Sequence, residues 1–539
     1  MSRSFGSRLY DATWETLLKR IITCTVVVAL VIAAYIIRNE ITEDAGSCAE
    51  GVTESGGECI GVNGSGYDWG VPEIGPVVDR IAEENGRLGD TYVTVAMLLP
   101  LQPKAKAERQ QLRSEVQGAY FAQYRANREE GAPKVRLVLA NPGKDYLKQH
   151  EVVPDLVDMS RSRHRLRAVT GFNLSLATTE AAIRSLTEHH VPVLVARASA
   201  GSLANEEGKE REFKGLARIL PTNQEQARAL ADTGGKRKNK QTVVVRDTRA
   251  DPYVHSLSVA FQKLEEEEPG PDGPGTMTFS SAGISVKGDV DNQFRPMVDT
   301  ICSSGADTVY FAGRSTHLRL FLKRLAQDDC AGTRFTVVSG SDAASLKNKM
   351  SGDDWAQLLD DSGAPKMTVQ YAAPAHPDAW DTEVRAWQDQ ERKRNGRRPD
   401  AARAPRSLRD PLNELARLRQ TAAKAGGTGP LDLADSRTMM VHDGVRTAVE
   451  AIRGAKLPGE AAPTPEQVGN RWATMQASNR VDGTSGRICL TPAGNAYNKP
   501  LAVVELRPGE KTAPSRLGYV GLAWPQGRKQ AEDCVVRGS

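Results

Sequence analysis

LRAVTGFNLSLATTEAAIRSLTEHHVPVLVARASAGSL, residues 166–203, reads as strand, glycine turn, helix and second strand. Leu166, Ala168 and Val169 make a short apolar run that ends at Gly171. Thr178, Thr179 and Glu180 then open a helix whose first backbone N–H groups have no partner inside the helix and point back toward the turn. Such an end attracts anions, because the helix dipole and the free donors act together. Ser175 stands where the turn enters the helix, placed either to cap those donors or to share them with a bound carboxylate. After the helix, the apolar run 191–196, with Pro192 near its start, leads to Ala198 and Ser199, a second hydroxyl at the carboxyl end of a strand. In open parallel sheets, ligands collect at that edge.

The same alternation extends in both directions. Upstream, strands are expected at 92–99 and 135–140, with helices at 112–127 and 152–163. Downstream, strands at 242–246, 276–284, 308–311 and 335–339 alternate with helices at 253–267, 292–303 and 318–327. Strands separated by helical patterns call for parallel sheets, so the fold class is α/β with two Rossmann-like lobes. The acidic run 265–268 reads as a solvated helix end, followed by the turn-rich PGPDGPG at 269–275.

With 539 residues the chain has room for several domains at roughly 150 residues each. Its 71 basic and 67 acidic residues leave a net charge of +4, and aromatics make up only 5%, which argues against a nucleic-acid partner. Residues 21–37, IITCTVVVALVIAAYII, form a 17-residue uncharged run, about the length that spans a bilayer. Arg3, Arg8, Lys19 and Arg20 precede it, whereas Arg38 is followed by Glu40, Glu43 and Asp44. The positive-inside bias then predicts a single-pass membrane protein with residues 1–20 in the cytoplasm and the main body extracellular. A cleaved signal peptide would need small residues where Tyr35, Ile36, Ile37 and Arg38 stand, so a retained anchor is expected.

Cys24 falls in the apolar run, leaving Cys48, Cys59, Cys302, Cys330, Cys489 and Cys534 outside. An even external count fits disulfides in an oxidising compartment. Sequence cannot choose rigorously among the pairings; three well-separated local pairs suggest Cys48 with Cys59, Cys302 with Cys330, and Cys489 with Cys534. No CxxC occurs and no His lies near, so structural bonds are expected and no metal site.

From 38 to 90 the chain reads as an extracellular juxtamembrane stalk, 91–222 as the first part of lobe 1, 223–342 as lobe 2, and 343–539 as segments returning to complete both lobes. A basic inserted loop at about 385–434, with RKRNGRRPDAARAPRSLR at 392–409, has the composition of a mobile, solvated segment. Helices are expected at 438–454 and around 468–477, then terminal strands. HExxH, GxSxG and GxxxxGK(S/T) are absent, and no nucleophile is paired with a base, so no enzyme and no cofactor are expected. His442-Asp443 is better explained by Asp443 capping a helix than by a metal, and His189-His190 by a helix end.

In order along the chain, AVTGFNLSLATTEAAI (168–183), VPVLVARASAGSL (191–203), RILPTNQEQARAL (218–230), VVVRDTRADPYVHSL (243–257), GADTVYFAG (305–313), VVSGSDAASL (337–346), HDGVRTAVEAIR (442–453) and DGTSGRICLTPAGN (482–495) resemble the type I periplasmic binding proteins. The likeness is to the leucine/isoleucine/valine-binding branch of ABC-importer receptors and covers about 92–506. It implies two lobes joined by crossing strands that close on a small solute. Matched residue by residue, it implies that Ser175, Ala198 and Ser199 meet a ligand carboxylate, with Ser199 in place of the usual threonine. Tyr253 matches the second lobe's tyrosine, although Val254 replaces the following glycine. Asp342 matches the acidic residue for an ammonium group, with capping of a following helix as its other reading, and Tyr310 matches a ring lining the cleft.

Two function classes follow. One is a membrane-anchored solute-binding protein for a small polar, amino-acid-like ligand, working with the permease and ATPase subunits of an importer or with a signalling partner. The other is a surface scaffold that kept the fold and lost the ligand.

Overall fold

The computed structural model describes Thr25 and residues 47–233, 241–267, 275–327, 330, 332–360, 362–508 and 515–536. The apolar run 21–37 lies outside them except for Thr25. Among the described residues no helix is long and apolar enough to cross a membrane.

The chain divides into two units, 1–60 and 61–539. The first holds an antiparallel hairpin of β1 (Ser47–Ala49) and β2 (Val52–Ser55), with a Cys48–Cys59 disulfide whose Cα atoms are 5.9 Å apart. At the boundary runs β3 (Glu58–Asn63).

In the second unit lobe 1 comes first. Helix α1 (Gly75–Gly86) buries Val77, Val78 and Ile81. It is followed by β4 (Val93–Leu98), α2 (Lys106–Ala126), β5 (Val135–Asn141), α3 (Gln149–Arg161), β6 (Leu166–Gly171), α4 (Ala177–Glu188), β7 (Val193–Val195) and β8 (Leu216–Arg218). All six residues of β4 are buried, as expected for a parallel strand covered by helices on both faces. The sheet runs β5-β4-β6-β7-β8, all parallel, and Gly61–Asn63 adds an antiparallel edge against Leu139–Asn141. The expected stalk is therefore corrected: from Gly61 onward it is part of lobe 1, because Trp69, Val71, Ile74 and the apolar face of α1 are buried there.

Lobe 2 repeats the plan with α5 (Asn223–Thr233), β9 (Thr242–Asp247), α6 (Pro252–Glu267), β10 (Thr276–Phe279), α7 (Val290–Ser304), β11 (Thr308–Ala312), α8 (Ser315–Gln327), β12 (Phe335–Ser339) and β13 (Met367–Ala373). Its parallel order is β10-β9-β11-β12-β13. Both lobes thus have the doubly wound order 2-1-3-4-5, whose strand order reverses beside the first strand. β10 stops short of the expected 284 because Asp247 accepts from the Ser281 N–H at 3.0 Å and also bonds its hydroxyl, turning the chain off the ladder.

After β13 come α9 (Ala379–Asn395), α10 (Arg406–Ala425), α11 (Arg437–Ala455), α12 (Pro465–Arg471), the hairpin β14 (Val481–Gly483) and β15 (Gly486–Ile488), and finally β16 (Leu501–Pro508) and β17 (Ser515–Ala523). The last two strands extend the lobe 2 sheet antiparallel from β13, while α11 packs on α2 and β6 of lobe 1. The basic loop expected at 385–434 is corrected to a helical hairpin. Leu408, Pro411, Leu415 and Leu418 lie at three- and four-residue spacing on α10, and all are buried. Thr464 and Gln467 form a capping box that starts α12 earlier than expected, and it ends at Arg471. The remaining disulfides join Cys302 to Cys330 and Cys489 to Cys534, with Cα separations of 4.9 and 6.3 Å, within the range such bonds require.

Where the chain crosses between lobes after β13 and before β16, Lys499 is wholly buried and donates to Pro374 O at 3.3 Å and Ser485 O at 3.0 Å. Burial, only partly offset by Asp443, pushes its ammonium down to about 8. An unfolded lysine titrates near 10.4, so between those values the unfolded chain binds the extra proton and stability rises with pH. Relative to Lys499→Met, the native protein is expected to gain about 3 kcal/mol of unfolding free energy between pH 7 and pH 10.5. Denaturation curves of the two proteins across that range check it, and parallel pH profiles would refute it.

Candidate functional site

The carboxyl ends of both parallel sheets face one cavity. Lobe 1 supplies Asn173, Leu174 and Ser175 after β6, and Arg197 and Ser199 after β7. Lobe 2 supplies Tyr253 after β9, Arg314 after β11, Ser341, Asp342 and Ala344 after β12, and Pro374 after β13; Asp435 and Ser436 close the wall ahead of α11. The inner space of the cavity is about 40 Å3.

Four of the residues picked from sequence, Ser175, Ser199, Tyr253 and Asp342, line this cavity together. Ala198 is buried beside them. Tyr310 is a correction: it lies in the lobe 2 core on β11, its ring 5.0 Å from that of Phe261, because its side chain faces α6 and not the strand end.

The local bonding also departs from expectation. Ser175 does not cap α4, whose N-cap is Leu176. Its Oγ instead accepts from the backbone N–H groups of Ser199 and Ala200, both at 3.1 Å, so the two hydroxyl-bearing turns interlock. Asp342 caps a helix, but a different one from that expected: its Oδ2 accepts from Ser315 N, at the start of α8, at 2.7 Å. Burial works to raise the Asp342 carboxyl, but Lys349, Arg314 and the Ser315 N–H outweigh it and hold it below its ordinary value. The Tyr253 hydroxyl accepts from Asp342 N at 3.2 Å; burial, with the Asp342 charge adding to it, pushes that phenol well above its usual range.

Sequence reading missed the guanidinium groups. Arg314 forms a two-pronged pair with Asp251, at 2.8 and 2.9 Å, stacks its guanidinium 4.5 Å over the Tyr253 ring, and donates across the cleft to Ser175 O at 3.1 Å. Other bonds also cross between the lobes, among them Gly201 N to Ser256 Oγ at 3.1 Å, Arg437 Nη2 to Ser345 Oγ at 3.0 Å and Lys347 Nζ to Asp432 Oδ2 at 2.6 Å. Arg197 approaches Glu115 at 3.1 Å, and Glu115 also faces Arg437 at 3.7 Å. The available signal was position: each of Arg197 and Arg314 is a charge directly after a buried strand, where the chain enters the ligand edge of a sheet.

Asp443 does not cap a helix either. It sits in the interior of α11, wholly buried, and clamps the turn between β14 and β15: Thr484 N and Oγ1 donate to it at 3.0 Å, Ser485 N at 2.8 Å and Ser485 Oγ at 2.6 Å. His442 Nδ1 lies 3.1 Å from the same carboxylate. Among the described residues no cluster of His, Cys, Asp and Glu is placed to hold a metal.

No family model and no curated protein sequence matches the chain. Solved structures do. The leucine-binding protein LivK of Thermotoga maritima is 16% identical over 80% of this chain and 99% of its own, with a TM-score of 0.51. An ABC-transporter solute-binding protein of Rhodopseudomonas palustris, solved with p-hydroxybenzoic acid, is 14% identical over 80% and 96%, with a TM-score of 0.54. The branched-chain amino-acid-binding LivJ of Streptococcus pneumoniae, solved with isoleucine, is 13% identical over 80% and 100%, with a TM-score of 0.50. At such identities the likeness is one of fold. By that measure this chain is similar to the type I periplasmic binding proteins, two doubly wound α/β lobes with their ligand edges turned toward one another.

Proposed function

We propose that this chain is an extracellular solute-binding protein, held at the cell membrane by residues 21–37, that traps a small polar, amino-acid-like solute between its lobes for an ABC importer or for sensing. The observation that carries the reading is the cavity at the carboxyl ends of both sheets, where a cation, a carboxylate and hydroxyls from the two lobes converge around space for a small molecule. Structural neighbours that bind leucine, or were solved with isoleucine or p-hydroxybenzoic acid, support a solute of similar size.

One observation favours the scaffold reading: the lobes already touch through Arg314 and Ser175, and the remaining space is small. A thermal-shift screen against amino acids, small peptides, sugars and organic acids separates the two. A ligand that binds only the folded state adds about 2.7 kcal/mol at a hundredfold excess over its Kd. The expected result is a hit that disappears in Asp342→Asn, a change that keeps an oxygen for the Ser315 N–H. Silence across the panel, from a cooperatively unfolding protein, would favour the scaffold.

A further inference from the structure

We infer that Arg197 is the anchor for a negatively charged group of the ligand, so that the cleft selects carboxylate-bearing solutes through a guanidinium and not through the turn N–H groups after β7. This rests on the reading of the cleft as a solute site.

Three observations lead there. First, the backbone N–H groups that would greet a carboxylate at the turn after β7 are spent, because Ser199 N and Ala200 N both donate to Ser175 Oγ. Second, the two guanidinium groups that line the cavity differ in how they are occupied. Arg314 is committed to Asp251 and Ser175 O. Arg197, whose side chain is only 14% exposed, has one anion within ion-pair distance, Glu115, with Asp435 and Asp342 farther off, and its Nε lies near the Glu115 carboxylate without the alignment of a hydrogen bond.

Third, Glu115 cannot serve Arg197 alone. One of its oxygens accepts from Asn173 Nδ2 at 2.9 Å, and the other is shared with Arg437. A guanidinium carries five N–H donors in a planar fork. No hydrogen bond joins this one to a described residue, and its side chain lines the cavity. Burying such a group is costly unless an acceptor meets it, and a carboxylate offers two oxygens in matching geometry.

The test uses matched acid and amide probes, which differ in charge at nearly constant shape: propanoate with propanamide, benzoate with benzamide, and L-leucine with L-leucinamide. Affinities are read by thermal-shift titration of the full chain. In the native protein at least one acid is expected to bind tenfold to a hundredfold more tightly than its amide. In Arg197→Gln that preference is expected to vanish, and in Arg197→Lys part of it is expected to return.

Equal affinity for acid and amide in the native protein would overturn the inference without any variant having to fold. So would an acid preference that survives in Arg197→Gln, and both results would leave the solute-site reading standing. Failure of every probe, neutral or charged, in this panel and in the broader screen would overturn the inference and the solute-site reading together.

Discussion

Asp443→Ala is expected to lower the unfolding free energy by about 3–5 kcal/mol, the scale seen when one partner of a buried charged network is removed. The carboxylate lies within α11, where aspartate is a poor helix former, so its place there depends on what it binds. It accepts from two backbone N–H groups and two hydroxyls of Thr484 and Ser485; alanine would leave the two N–H groups and the Ser485 hydroxyl buried without an acceptor, and the Thr484 hydroxyl with only Met439 O at 3.4 Å. Lys499 would lose the Asp443 charge that partly offsets its burial in the same step. Asp443→Asn should fall between the two, since its amide oxygen can still accept from the turn while its NH2 faces donors. Gly483 sets the fit of this clamp: a Cβ there would come within 2.5 Å of the Asp443 carboxylate. The shift of the denaturant midpoint, followed by circular dichroism, measures the effect; a loss under about 1 kcal/mol would mean the turn is held by something else.

Gly118→Val is the second large loss. In α2, a Cβ at Gly118 would stand 2.5 Å from Thr438 O and 3.0 Å from His442 N, both backbone atoms of α11 that cannot rotate away. Two effects compete. Replacing a helical glycine favours the helix by at most about 1 kcal/mol, and less for valine than for alanine. Forcing two packed helices apart costs about 3 kcal/mol, so overpacking wins and a net loss near 2–3 kcal/mol is expected. The neighbouring Ser114 O to Thr438 Oγ1 bond, at 3.0 Å, would stretch with it. Gly86→Ala is the control: nothing lies within 4 Å of a Cβ there, and stability should hold or rise slightly. Equal midpoints for Gly118→Val and the native chain would show that α2 and α11 are not pressed together as described.

Much of the architecture is legible in the sequence because parallel strands buried on both faces leave continuous apolar runs, and β4, β6, β11 and β12 fall where those runs predict. β8 and β13 are harder. β8 is three residues long and ends in Arg218, whose buried guanidinium is satisfied by Ala200 O at 2.8 Å and Leu220 O at 3.1 Å. β13 contains Gln370, a polar residue whose partner is Glu505, opposite it on β16 at 2.8 Å. Both polar residues break the apolar signal, and both are compensated by groups brought close only by the fold. In the basic segment the reverse happens, since a charged composition masks the leucine stripe of α10.

At the site, side chains expected to face a ligand, such as Ser175 and Asp342, bond largely to the protein, whereas Arg197 is marked in the sequence only by its place directly after a buried strand. Hydroxyl-bearing turns can be recognised in sequence. Which of their hydrogen bonds are already taken depends on the neighbouring turn, some 24 residues away for Ser175 and Ser199.

Calorimetric titration of the protein with leucine, isoleucine, benzoate and 4-hydroxybenzoate reads out whether one small solute binds between the lobes. Saturable heat is expected for at least one of these, with one ligand bound per chain. No saturable heat from any of them, in a sample that unfolds cooperatively, would contradict it.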